Sequence, residues 1–248
     1  MEKEIVEWIK KYCLKNKINS LIVGVSGGID SALVSTLCCE TGIKTFAVSL
    51  PLNQKIDQLD RARDHIRWLV SKYENVIPIE KDLTDTFNFF LGILGDDEKS
   101  QISLANTKSR LRMVTLYHIA SNKGGIVVGT GNKVEDFGVG FFTKYGDGGV
   151  DISPIADLTK TEVRILAKKL DINVNIIEAP PTDGLWEIEK TDEEQIGATY
   201  EELEWAMSTE LSKREMSDEQ VRIFEIYKSF NKRNRHKMIK IPIFKKRK

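Results

Sequence analysis

The chain has 248 residues, 41% of them hydrophobic, and its 37 basic and 37 acidic side chains balance. This length and composition can bury a full core, most simply as a single domain over residues 1–248. The charge balance argues against a surface dedicated to nucleic acid, and no stretch has the roughly 20 apolar residues that a membrane helix requires.

The amino-terminal sequence MEKEIVEWIKKYC predicts an amphipathic helix. It does not resemble a signal peptide, because Glu2 and Glu4 stand in place of basic residues and no apolar segment follows, so we expect a cytoplasmic protein.

The three cysteines are odd in number and form no Cys-x-x-Cys pair, which indicates neither a disulfide framework nor a zinc site. We expect all three to pack in the core: Cys13, Cys38 and Cys39.

Strands alternate with helices in the first half of the chain. Short apolar runs rich in β-branched residues predict strands at 21–26, 44–50, 75–80 and 125–130. Apolar residues at helical spacing predict helices at 31–40, about 57–72, about 82–94 and 103–122. The alternation predicts an α/β fold in which an open parallel sheet carries helices on both faces.

The second half begins with a glycine-rich stretch at 131–158 that is longer than a structural connection needs, and such loops are usually functional or disordered. Capping-box pairs then predict the starts of three helices: Thr159 with Glu162, Thr191 with Glu194, and Ser217 with Gln220.

The sequence LIVGVSGGIDSAL at 21–33 joins the first strand to the first helix of the sheet through a glycine-rich turn. Its glycines permit positive φ and close approach of a ligand, and the hydroxyls of Ser26 and Ser31 lie beside the N–H groups of the first helical turn. A helix N-terminus at the carboxyl edge of a parallel strand suits a phosphate. The turn is neither a Walker A loop nor G-x-G-x-x-G.

Asp30 departs from a simple phosphate site, because a carboxylate beside bound phosphate would repel it. The simplest use for Asp30 is to share a magnesium ion with the phosphate oxygens. The alternative is an ordinary strand-to-helix turn in which Asp30 is the N-terminal cap.

The segment SGGIDS resembles the pyrophosphate-binding signature of the ATP-pyrophosphatase superfamily. Later segments resemble the ammonia-dependent NAD synthetases: GTGNKVE at 129–135, GFFTKYGDGGVDISPIADLTKTEV at 140–163, APPTDGLW at 179–186, and RHK at 235–237. The similarity covers about residues 21–237, and FTKYGDGG is much more specific than the first loop. It implies a Rossmann-like fold of the adenine nucleotide alpha hydrolase type.

The resemblance implies a two-step reaction. ATP adenylylates the nicotinic acid carboxylate of deamido-NAD and releases pyrophosphate, and ammonia then displaces AMP to give NAD. A carboxylate is a poor acceptor for ammonia because its leaving group is effectively oxide, whereas a mixed anhydride with AMP supplies a good leaving group. The implied cofactor is Mg²⁺, with ATP as co-substrate.

The resemblance also assigns residues by position. Those matching ATP contacts are Gly24, Val25, Ser26, Gly27, Gly28, Ile29, Asp30, Ser31, Thr130, Lys160 and Thr182. Those matching magnesium ligands are Asp30 and Glu135, and a shared ion is reasonable because both follow predicted strands. Those matching deamido-NAD contacts are Arg110, Lys144, Asp151, His236 and Lys237.

Several of these positions can also be interpreted without the resemblance. Lys160 lies in the first turn of a predicted helix, where the dipole disfavours a cation unless an anion is near, and this favours a phosphate partner. Thr182 is equally compatible with a turn, Arg110 and its neighbour Arg112 with solvated side chains, and Asp151 with an Asx turn.

The basic carboxyl-terminal stretch also has two readings, a solvated tail or a segment that closes over an anionic dinucleotide. We assign KKRK at 245–248 to the first reading, and His236 and Lys237 to the second.

The chain departs from the family at two places. After the second strand it has LPLNQKIDQLD, where many members carry Tyr-Gly-x-Gln-x-Asp-Glu with a glutamine near adenine, and both Gln54 and Gln58 are candidates for that contact. The stretch from Glu135 to Lys144 is one residue longer than the commonest spacing, which leaves its local conformation open.

The first family motif begins within about 25 residues of Met1, so we expect no glutaminase domain, and ammonia that is free or comes from a separate supplier. The family also implies a homodimer, and its expected contacts are the helix around 87–94 and the helix bearing Arg110.

Two other functions stay open. One is another adenylylating enzyme of the superfamily, such as a tRNA thiolase or a GMP synthetase core, although a thiolase would show a catalytic cysteine arrangement. The other is a nucleotide-sensing module that binds ATP without turnover, and pyrophosphate release would distinguish it.

Overall fold

The computed structural model describes residues 1–94, 100–182, 184–185 and 191–246. Its four strands form one parallel sheet in the order β3-β2-β1-β4. Their bounds are Ser20–Gly24 for β1, Lys44–Ser49 for β2, Val76–Glu80 for β3 and Gly125–Val128 for β4. Successive strands add on one side of β1 and then on the other, so the topological switch point lies between β1 and β4.

The described residues also form ten α-helices and one π-helical turn. The first five are α1 Glu2–Asn16, α2 Ile29–Glu40, α3 Ile56–Lys72, α4 Thr84–Leu94 and α5 Gln101–Lys123. The π-helical turn Val134–Val139 follows β4. The last five are α6 Lys160–Lys169, α7 Val174–Ile177, α8 Asp192–Ile196, α9 Tyr200–Ser208 and α10 Asp218–Met238.

The α/β architecture and all the predicted elements are confirmed. The predictions for β1 and β4 run two residues too far, because 25–26 and 129–130 leave the sheet and begin the loops above it. The three capping boxes begin α6, α8 and α10 as predicted, and a fourth, formed by Thr199 and Glu202, begins α9. The single-domain organisation stays a prediction.

Helices cover both faces of the sheet. Leu21 and Val23 of β1 pack with α1, α2, α6 and α7, whereas Ile22 packs with α4 and α5 on the opposite face. The cysteines pack in the core as expected, and burial raises the pKa of the Cys39 thiol to about 12. Among the described residues, no helix is both long and apolar enough to cross a membrane.

A buried histidine links α2 to α3. The His65 ring is 2% exposed, stacks on Trp68, and has Nε2 3.0 Å from the Ser35 hydroxyl oxygen. Burial lowers the pKa of His65 to about 4. The folded protein therefore keeps this ring neutral at a pH where the unfolded chain would protonate it.

We expect His65 to make the protein acid-sensitive. The folded pKa of His65 lies below the unfolded value near 6.5. The contribution of His65 to the free energy of unfolding is therefore complete above that pH, and it falls by up to about 3 kcal/mol as pH decreases toward 4. Denaturant unfolding across this interval tests this. His65→Gln should show a shallower pH dependence than the parent chain, and His118→Gln, at an exposed site, an unchanged one. Identical slopes for His65→Gln and the parent chain would contradict the assignment.

Candidate active site

A cavity of about 1000 Å³ opens at the carboxyl end of the sheet. Its walls include the residues that end β1, β2 and β4, the glycine-rich loop after the π-helical turn, and the last turns of α10. Open α/β sheets bind ligands at this edge, at the switch point between strands.

The turn between β1 and α2 forms one wall. Gly27 has φ +87°, and a Cβ there would lie 2.4 Å from the Gln58 carbonyl oxygen, so no other residue fits. The Ser31 hydroxyl accepts the Ser26 N–H at 3.1 Å and donates to the Gly28 carbonyl at 2.9 Å. These bonds fix the turn, and the first N–H groups of α2 have no acceptor within the helix.

Three charged groups meet beside this turn. The ammonium of Lys160, at the start of α6, lies 2.5 Å from Asp30 Oδ2 and 3.0 Å from Glu135 Oε1. Asn132 Nδ2 donates to the second Asp30 oxygen at 3.2 Å. Asp30 is therefore not the helix cap, since that position belongs to Gly28. The anions beside Lys160 in the structure are carboxylates.

Burial and charge pairing oppose each other in this cluster, and at Asp30 burial prevails and raises the pKa of the carboxyl. Burial alone would lower the pKa of Lys160, which is 3% exposed, but Asp30 and Glu135 outweigh burial and raise it. Burial works against a charged Glu135 as well, but Lys160 and Tyr200 bring the pKa of its carboxyl below the usual value. Two carboxylates and one ammonium leave one net negative charge.

Tyr200 completes the cluster, and the sequence did not point to it. Its hydroxyl donates to Glu135 Oε1 at 2.6 Å, and the centre of its buried ring lies 4.6 Å from Lys160 Nζ. The capping box of α9 could have located the start of this helix. Nothing in the sequence connects Tyr200 to Glu135, which lies 65 positions earlier.

The donor set fits magnesium. Within the described ranges, no group of three or more His, Cys, Asp or Glu could hold a metal, but Asp30 and Glu135 bring two carboxylate oxygens around one point. Mg²⁺ is usually held by one or two carboxylates, with phosphate oxygens and waters as the remaining ligands. These two residues would hold the ion together with a bound nucleotide.

All eleven positions matched to ATP line the cavity. Thr182 is on the wall and its hydroxyl accepts the Gly184 N–H at 3.3 Å, while Asp183 and Trp186 of the same motif lie outside the described residues.

Both candidates for the adenine contact also line the cavity. Gln54 Oε1 accepts from the Leu52 N–H and from Arg112, whereas Gln58 is buried beside Gly184.

Four of the five positions matched to deamido-NAD meet on another wall. The Arg110 guanidinium donates to the Lys144 carbonyl at 3.3 Å, and Lys144 Nζ donates to the His236 carbonyl at 2.9 Å. Lys237 Nζ donates to the Phe142 carbonyl at 2.6 Å. Helices α5 and α10 and the glycine-rich loop thus gather three positive charges and an imidazole.

Asp151 is not brought to this wall. Its carboxylate accepts the Val127 N–H of β4 at 2.8 Å, and its side chain is not among those that line the cavity. Since β4 is an edge strand of the sheet, this bond satisfies a backbone N–H that no further strand among the described residues reaches.

The π-helical turn Val134–Val139 lies at the start of the stretch where the resemblance predicts one additional residue. A π-helix closes its hydrogen bonds from i to i+5 and so takes an additional residue per turn. Asn231 and Asn234 of α10 donate to the carbonyls of Gly138 and Val139, each at 2.8 Å, and hold the turn in place.

A family model described as NAD synthase matches residues 1–248. The chain belongs to the NAD synthase family. It is 36% identical over 219 residues to an NH(3)-dependent NAD(+) synthetase from Carboxydothermus hydrogenoformans, and the match covers 87% of each chain.

Two solved structures share the fold of this chain over nearly their whole length. One is an NMN synthetase from Francisella tularensis, with a TM-score of 0.87, 30% identity and coverage of 98% of this chain and 96% of that one. The other is an NH3-dependent NAD synthetase from Campylobacter jejuni, with a TM-score of 0.78, 26% identity and coverage of 98% and 97%.

We expect Lys160→Met to lower the free energy of unfolding by about 3–5 kcal/mol in the absence of magnesium, because it leaves two largely buried carboxylates without a cation. Denaturant unfolding measures this. Lys133→Met is the matched control, since its ion pair with Asp157 is exposed and should contribute at most about 1 kcal/mol. Equal losses in the two variants would contradict a stabilising role for Lys160.

Proposed function

We propose that this chain is a ligase that uses ATP, Mg²⁺ and ammonia to convert deamido-NAD to NAD, with release of AMP and pyrophosphate. The observation that carries the proposal is one cavity that has a glycine-rich turn with two carboxylates on one wall and basic side chains on another. The β1–α2 turn and the Asp30–Lys160–Glu135 cluster form one wall, and the basic groups of α5, α10 and the glycine-rich loop form the other. The family membership supports the same reaction.

In the first step, an oxygen of the nicotinic acid carboxylate attacks the α-phosphorus of ATP, and the bond from that phosphorus to the bridging oxygen of the β-phosphate breaks. The N–H groups of the β1–α2 turn hold the departing pyrophosphate. Lys160 neutralises negative charge that develops on the phosphates. A magnesium ion held by Asp30 and Glu135 supplies further neutralisation when bound.

In the second step, the ammonia nitrogen attacks the carbonyl carbon of the adenylate. The bond from this carbon to the phosphate-linked oxygen breaks, AMP leaves with that oxygen, and the nitrogen loses a proton to give the amide. The enzyme's part is to hold the adenylate in place and keep water away from it.

Deamido-NAD carries a pyrophosphate and a carboxylate, so it needs cationic partners. Arg110, Lys144 and Lys237 provide these charges on one wall, and His236 adds a hydrogen-bonding ring. The expected contact of Asp151 with this substrate stays a prediction.

We also propose a homodimer. On α4 and α5, Phe89 is 75% exposed, Ile93 67% and Val114 66%, and large apolar side chains on one side of a protein commonly mark an interface. A second copy covering these helices fits the expected contact. The proposal includes a cytoplasmic location and ammonia that is free or comes from a separate supplier.

The direct test follows NAD, AMP and pyrophosphate in a mixture of deamido-NAD, ATP, magnesium and ammonium. We expect the three products to appear together in equal amounts, and glutamine in place of ammonium to give no NAD. Absence of pyrophosphate with every acceptor would indicate a nucleotide-binding module instead.

We expect Asp30→Asn and Glu135→Gln each to lower the rate of pyrophosphate release by about 100-fold or more, because each weakens the hold on magnesium. Asp157→Asn removes an exposed carboxylate and should retain the parent rate. Near-normal turnover of the first two variants at saturating magnesium and ATP would contradict the metal-ligand assignment.

The likeness to the NMN synthetase from Francisella tularensis favours a second candidate, in which the acid is nicotinic acid mononucleotide. The chemistry at the carboxylate is the same, and only the size of the nucleotide differs. Comparing kcat/KM for the two acids decides between them. A preference for deamido-NAD supports the first proposal, and a preference for the mononucleotide replaces it with the second.

A further inference from the structure

The β1–α2 turn lacks a cation of its own. It contains no lysine of the Walker type, and the ammonium of Lys160 beside it is shared by two carboxylates, which leaves one net negative charge. The triphosphate of ATP is itself strongly negative. Its binding at this turn would gain from a positive side chain that is not already held by buried carboxylates.

Arg61 of α3 stands next to the turn. Helix α3 packs directly on Gly27, where a Cβ would lie 2.4 Å from the Gln58 carbonyl oxygen, 3.1 Å from the Ala62 nitrogen and 3.4 Å from Arg61 Cβ. The Arg61 side chain therefore starts next to the β1–α2 turn, and it lines the same cavity as Gly27 and Gly28.

The partners of Arg61 leave much of its guanidinium available. Its side chain is 23% exposed, and its Nε is buried with no hydrogen-bond acceptor in the described part of the chain. Its ion pair with Asp57, one helical turn earlier, spans 3.5 Å, and Asp57 is 66% exposed. Arg63 on the same helix instead binds Glu80 through two hydrogen bonds of 2.9 and 2.6 Å.

We propose that Arg61 binds the pyrophosphate portion of ATP at the β1–α2 turn. The planar guanidinium carries five donors in a fork that matches phosphate oxygens, and charge-assisted bonds of this kind are the strong ones. A phosphate would also provide an acceptor for the unpartnered Nε–H. The identity of the nucleotide rests on the proposed function, whereas the position of Arg61 at the turn does not.

Calorimetric titration of Arg61→Met tests the contact with α,β-methylene ATP, pyrophosphate and AMP, each with magnesium. Methionine keeps an unbranched apolar stem against Gly27. We expect Kd to rise about 10- to 100-fold for the first two ligands and to change less than about twofold for AMP. Arg61→Lys keeps the charge without the fork, so its loss should be intermediate, and it serves if Arg61→Met does not fold.

Arg63→Met, two residues further along α3 and paired with Glu80, is the matched control and should bind all three ligands as the parent chain does. Unchanged Kd for α,β-methylene ATP in the Arg61 variants would overturn the proposal, and so would an equal loss for AMP. Formation of NAD by the parent chain is measured separately. A chain that shows the Arg61 effect and makes no NAD retains this inference and loses the proposed function.

Discussion

The ion cluster around Lys160 is the constraint on which the rest of the site depends. Its ammonium binds two carboxylates that come from distant parts of the chain. Asp30, in the first turn of α2, lies 130 positions earlier, and Glu135, in the π-helical turn after β4, lies 25 positions earlier. Carboxylates this deeply placed are costly without a cation. The cluster therefore ties the turn after β1, the turn after β4 and the start of α6 together at the switch point of the sheet.

This arrangement divides the cavity by charge. The side next to the sheet is net negative and offers carboxylate oxygens and backbone N–H groups, a combination suited to a nucleotide with its magnesium ion. The side formed by α5, α10 and the glycine-rich loop is positive, and the carbonyl groups that Arg110, Lys144 and Lys237 contact do not neutralise their charge. Two anionic substrates can thus meet in one cavity without competing for the same groups.

Local patterns predicted most of the fold, because strand and helix periodicity and capping boxes are properties of neighbouring residues. The ATP positions came from the resemblance to the family and not from these patterns, and all eleven line the cavity. The patterns did not point to Tyr200 beside Glu135, to Arg61 beside the β1–α2 turn, or to the bond of Asp151 with the Val127 N–H of β4. Those roles depend on which side chains of distant elements face each other, and single-sequence periodicity carries no such information.

A crystal structure with magnesium and α,β-methylene ATP is the measurement that bears most directly on the role of the Lys160 cluster. We expect the triphosphate on the β1–α2 turn, a metal ion bound by Asp30 and Glu135, and Lys160 Nζ moved from at least one carboxylate to a phosphate oxygen. A triphosphate bound away from this turn, or a metal ion that contacts neither carboxylate, would contradict that role.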